Sequence, residues 1–136
     1  MAKFLPMKIG EVHPDDEMPP PDSVISGSPS FRSWGLDEAE GGISCGIWEA
    51  TPGKWHFAND HWEYCRILSG VSIVTEEGGE PVTVRAGEAF VLRAGFSGTW
   101  EVIETTRKDY VIRAASCGDS TKVNANNEWA TSPRKL

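Results

Sequence analysis

The 136-residue sequence has little with which to staple itself or to attract an anionic partner. It holds three cysteines, Cys45, Cys65 and Cys117, an odd number without Cys-x-x-Cys spacing. That argues against a disulfide framework and against a structural zinc site. No apolar run approaches the roughly 18 residues a membrane helix needs, and residues 1–6 lack the apolar stretch of a secretory leader. The expectation is a cytoplasmic chain with free thiols and no membrane partner. Bases are scarce, 13 Lys and Arg against 20 Asp and Glu, for a net charge of −7. Phosphate and anionic-lipid binding need clustered Lys and Arg, so nucleic acid and membrane surfaces are not expected partners. There is no convincing helix, no internal repeat and no phosphate-binding loop.

What is present points to β structure. Six Trp stand among 14 Gly and 9 Pro, a pattern of aromatic strands punctuated by turns. The length fits one domain that buries about 65–70% of its unfolded surface. Three regions follow from composition. Residues 1–30 form an acidic, Pro-rich arm with Asp15-Asp16-Glu17 and Pro19-Pro20-Pro21, unsuited to a helix or a central strand. The arm is expected to run extended, with Val24-Ile25 pairing a sheet edge of this or a second subunit. Residues 31–115 form the domain, and 116–136 a polar tail with Trp129 as a candidate anchor. Eight acids against three bases in residues 1–40 place much of the charge on the arm and its surroundings.

Within 31–115, turn signals separate short apolar runs at 31–36, 43–51, 62–69, 71–75, 81–85, 88–92, 99–106 and 108–114. Pro52-Gly53, Glu76-Glu77-Gly78-Gly79 and Ala86-Gly87 mark turns. About eight short strands without a helix predict a sandwich or barrel.

Two segments carry a family resemblance. Gly53-Lys54-Trp55-His56 with Trp62-Glu63-Tyr64-Cys65-Arg66-Ile67-Leu68-Ser69-Gly70 resembles the first cupin motif, in which a Glu precedes a Gly by seven positions. Gly87-Glu88-Ala89-Phe90-Val91-Leu92-Arg93-Ala94-Gly95 resembles the second, with Arg93 where a Pro usually stands. The run Gly95-Phe96-Ser97-Gly98-Thr99-Trp100-Glu101-Val102, with Arg107-Lys108-Asp109-Tyr110, is similar to small cupins grouped with the (S)-ureidoglycine aminohydrolase cupin domain. The resemblance covers about residues 31–114. It implies an all-β, RmlC-like conical barrel (a jelly roll), commonly a homodimer, with a pocket at one mouth.

Metal-bearing cupins hold Mn, Fe, Ni or Zn with two His and a Glu of the first motif and a His of the second. Here the two motif-one His positions fall on Phe57 and Asn59, or on His56 and Ala58 with one more loop residue. The motif-two His position falls on Gly98. Only Glu63 persists, so the manganese aminohydrolase activity that the resemblance would imply does not transfer. The expectation is no cofactor. An irregular divalent-metal set of His56, His61 and Glu63 is the alternative.

Strand alternation then assigns the interior. If Glu63 points inward, so do Cys65 and Ile67, while Tyr64, Arg66 and Leu68 point away. The same rule groups Lys108 with Tyr110, and Trp100 with Val102. The expected small-molecule pocket holds Glu63, Lys108, Cys65, Trp100 and Tyr110, with Trp55 and His56 on its rim. Two readings stand. One is a binder of a small polar, carboxylate or nitrogen-containing metabolite. The other is an enzyme in which Lys108 holds a substrate carboxylate and Glu63, its pKa raised by burial, acts as a base. A structural Glu63–Lys108 ion pair and a Trp100 plug are the plainer alternatives.

Overall fold

The computed structural model describes residues 2–115; the tail expectation, with Cys117 and Trp129, lies outside them. Among the described residues nine strands form one continuous curled sheet, with a single 3-10 turn between the first two. Strands β1 (Asp15–Glu17) and β2 (Val24–Gly27) belong to the arm. They are followed by β3 (Phe31–Ala39), β4 (Ile43–Ala50), β5 (Gly53–Ala58), β6 (Trp62–Glu76), β7 (Val82–Arg85), β8 (Ala89–Leu92) and β9 (Ser97–Arg113). The all-β jelly-roll expectation is met.

Two long strands replace four expected short ones. The runs at 62–69 and 71–75 are a single β6, and those at 99–106 and 108–114 are a single β9. Gly70 marks a bend within β6, where register shifts cluster between Ile67 and Ser72. It adopts φ +91°, and a Cβ there would strike the carbonyl oxygen of Thr105. Only glycine lets the two long strands bend together at this point. Strand β9 is the spine. It pairs with β6 along one edge, and with β5 and then β4 along the other.

The arm does pair with sheet edges, and the edges belong to its own chain. Strand β1 lies antiparallel to β3, with Asp16 opposite Arg32 and ion-paired to it at 3.1 Å. Strand β2 lies antiparallel to β5. The segment Gly53–Ala58, expected as loop, is a strand because β2 and β9 satisfy its backbone on both sides.

Alternation sorts the side chains as the strand rule requires. Glu63, Cys65 and Ile67 are buried, with Arg66 and Leu68 exposed and Tyr64 half-buried. The core is an aromatic stack of Phe31, Trp48, Trp55, Phe57, Phe96 and Trp100. Trp48 meets Trp100 edge-on at 5.3 Å, and Trp55 lies parallel to Trp100 at 6.5 Å. Each such pair adds about 0.5–1.5 kcal/mol beyond the area it buries. The Trp100 indole N–H donates to Ser72 Oγ at 3.0 Å, which lies 2.7 Å from Thr106 Oγ1. Trp100 therefore plugs the barrel.

Candidate functional site

Strands β6 and β9 bring Glu63, Cys65 and Lys108 together inside the barrel. Lys108 is opposite Ile67 on β6 and Trp48 on β4, and its side chain runs along the interior toward Glu63. The Lys108 ammonium donates to Glu63 Oε2 at 2.9 Å and stands 3.5 Å from Cys65 Sγ. Its Nζ also lies 4.5 Å from the Trp48 ring centroid and 4.7 Å from that of Trp100. Both charged side chains are closed to water. A desolvated cation over an indole face gains about 2 kcal/mol. Two faces and a carboxylate thus offset the cost of burying the ammonium.

These contacts set the charges. Burial alone would raise the Glu63 carboxyl. The Lys108 ammonium, with a smaller contribution from His61, outweighs it and holds the group below its ordinary value. The expected upward shift is therefore reversed, because the counter-charge sits at contact distance. Burial alone would lower Lys108, but its Cys65 and Glu63 neighbours raise it. Burial and the Glu63 charge push the Cys65 thiol well up, so it stays protonated and Glu63 is the anion Lys108 meets. Burial likewise raises Tyr110.

His61 is fully buried at the start of β6, with Nε2 at 3.6 Å from Glu63 Oε1 and 3.5 Å from Asn59 Nδ2. Three buried side-chain atoms in this run have no hydrogen-bond partner: Asn59 Oδ1, His61 Nδ1 and Glu63 Oε1. Leaving a buried polar group unpaired costs about 1–3 kcal/mol. The loop 93–96 clasps Asn59 through its backbone, Asn59 N–H to the Phe96 carbonyl at 3.0 Å and Gly95 N–H to the Asn59 carbonyl at 2.8 Å. The Phe96 ring stacks on Phe57 at 4.9 Å.

Two expected positions are corrected. His56 is exposed on the outer face of β5, between the buried Trp55 and Phe57, so it reaches neither the pocket nor His61 and Glu63. Trp55 is not on a rim but fully buried, opposite Trp100. Both errors follow from reading β5 as a loop, where alternation was not applied. Trp48 was missed, although counting inward positions along 43–51 would have found it.

The residues present do not fit the divalent metal of metal-bearing cupins. Among the described residues no group of three or more His, Cys, Asp or Glu is placed to hold one. At Gly98, the motif-two position, an added Cβ would strike the Thr75 carbonyl oxygen and lie 2.9 Å from Phe96 Cζ. One of the two Glu63 carboxylate oxygens, Oε2, is held by an ammonium, which already balances the charge a metal would meet. A separate cleft of about 510 Å³ lies where the arm meets the barrel, lined by Asp16, Glu17, Met18, Arg32, Glu49 and Thr51. It includes none of the expected site residues.

Comparisons with known proteins agree with this architecture. The profile of the EutQ-like cupin domain matches residues 37–110. No curated protein matches the chain. A protein of unknown function from Pseudomonas syringae pv. tomato, of the DUF861 family, superposes with a TM-score of 0.68 at 24% identity. The match covers 76% of this chain and 45% of that longer one, so this chain spans under half its length. The EutQ protein of Clostridium difficile gives a TM-score of 0.58 at 17% identity, over 71% of this chain and 80% of that one. A putative ethanolamine utilization protein Q of Salmonella typhimurium gives 0.58 at 16%, over 78% and 99%. These likenesses establish the fold.

Proposed function

The chain belongs to the EutQ-like cupin domain family, and from that premise we propose that it binds a small, neutral, nitrogen-bearing metabolite whose N–H groups donate to acceptor atoms among Asn59, His61 and Glu63. The observation that carries this reading is a pair of buried acceptors without a hydrogen-bond partner, Asn59 Oδ1 and Glu63 Oε1, beside the unpartnered His61 Nδ1, whose role follows the ring tautomer. An amide or ureide N–H group would satisfy them and recover the cost of leaving them bare. Charge selects against the other classes. Lys108 already neutralises Glu63, so an added cation gains no free carboxylate and is repelled by the ammonium. A carboxylate would face acceptors and an engaged lysine. These atoms are closed to solvent, and the loop 93–96 is tied to Asn59 through its backbone.

In this reading Glu63 and Lys108 shape the site rather than exchange protons, because each fixes the charge of the other. Trp100, Cys65 and Tyr110 form the wall behind them. A homodimer remains part of the proposal; Trp62 and Val91 are exposed on the outer sheet face beside Tyr64, and light scattering after gel filtration measures the assembly.

Thermal shift and tryptophan fluorescence across matched amides, ureas, alkylammonium ions and carboxylates test the ligand class. Amides or ureas should raise the melting temperature, and Asn59→Leu should abolish the shift. A response confined to carboxylates or cations would reverse the assignment, and silence of the whole panel would remove it.

A further inference from the structure

The Lys108 ammonium is enclosed on every side that the contacts define. Trp48 and Trp100 present ring faces at 4.5 and 4.7 Å, Glu63 Oε2 accepts at 2.9 Å, and Cys65 Sγ stands at 3.5 Å. Among the described residues Lys108 is the cation paired with Glu63 Oε2. Trp48 and Trp100 share one buried core cluster with Trp55, Ile67 and Ile112. Such a box is chemically selective. Indole faces attract an organic ammonium electrostatically and supply no lone pairs to a divalent ion. The single carboxylate balances one positive charge and no more.

We propose that Lys108 is the resident cation of this barrel: its ammonium occupies a Trp48–Trp100–Glu63 box and there neutralises the buried carboxylate and ties β6 to β9, the work that a bound metal ion does in metal-bearing barrels. The cation is covalently part of the chain, so it cannot be chelated, exchanged or lost. The proposal does not rest on the ligand class above and survives its failure.

The box makes a prediction that a packing role for the lysine does not. Truncation to Lys108→Ala deletes a propylammonium-sized group and leaves a cavity with a carboxylate at one end and two indole faces along it. Thermal unfolding of this variant is measured with n-propylammonium chloride, propan-1-ol and manganese chloride, with the wild-type protein as control. Lys108→Ala is expected to melt about 10 °C or more below wild type. Propylammonium should recover part of that loss in the variant while leaving wild type unchanged, and propan-1-ol and manganese should not. Equal recovery by the alcohol would show that only volume matters and overturn the proposal. So would an equimolar rise of the wild-type melting temperature with manganese or zinc. Should Lys108→Ala not fold, Lys108→Met is compared with Glu63→Gln/Lys108→Met. The double variant should melt above Lys108→Met, because it removes the orphaned carboxylate. A Lys108→Met protein as stable as wild type, or a double variant less stable than Lys108→Met, would overturn the assignment.

Discussion

Lys108 Nζ and Glu63 Oε2 lie 2.9 Å apart in an interior closed to water, joining the two longest strands of the barrel across their inner face. The pair fixes the charge of the carboxylate, engages Glu63 Oε2 and leaves Oε1 without a hydrogen-bond partner.

The first prediction concerns its energetics. Removing one partner leaves a buried charge uncompensated, which typically costs about 3–5 kcal/mol. Glu63→Gln and Lys108→Met should each destabilise on that scale in urea unfolding. The double variant should cost less than the two single losses combined. Additive losses would mean that the side chains act independently.

The second follows from the pKa directions. Glu63 is lowered in the fold relative to its ordinary value of 4.5, so its contribution to stability is fully present above that value. It is lost as pH falls through the depressed folded value. Lys108 is raised relative to 10.5, so its contribution is full below that value and lost as pH rises through the elevated folded one. Stability from the pair should be flat between these limits. The acid limb of the melting-temperature profile should be shallower in Glu63→Gln/Lys108→Met than in wild type.

Gly98 yields a third. Gly98→His restores the residue type of the second motif, but its Cβ has no room beside the Thr75 carbonyl and Phe96. The variant should lose stability and gain no metal on elemental analysis. Stoichiometric metal in a stable Gly98→His protein would contradict the reading of the closed position.

A fourth concerns thiols. Cys45 is half-buried and rests 3.7 Å from Met7 Sδ, whereas Cys65 is sealed and its thiol is held protonated. An aromatic disulfide reagent should label Cys45 in the native protein, slowed by the burial and nearby carboxylates that raise its thiol, and Cys65 only as fast as the protein unfolds. Mass spectrometry of the labelled peptides reads both rates.

Much of this was legible in the sequence, for a definite reason. Glu63, Cys65, Lys108, Trp100 and Tyr110 were placed inside correctly because strand alternation has a fixed period of two and one anchor sets every other residue. The same rule does not reach His56, because Gly53–Ala58 lies outside the apolar runs that mark strands in the sequence. Its strand character comes from long-range pairing with β2 and β9 rather than from its own composition. The bend at Gly70 split β6 for a related reason. A glycine after a strand reads as its end unless the partner strand across from it is known. The sign of the Glu63 shift was likewise out of reach, because burial and the Lys108 contact oppose each other and only a distance decides between them.

The most direct test of the account is nitrogen-15 NMR of the lysine ammonium groups in the folded wild-type protein. The chain contains six lysines, and one, Lys108, should show a slowly exchanging ammonium signal that persists through neutral pH and vanishes in Lys108→Met. A spectrum in which every ammonium exchanges at the solvent rate, or in which Lys108 titrates as a neutral amine near pH 7, would contradict it.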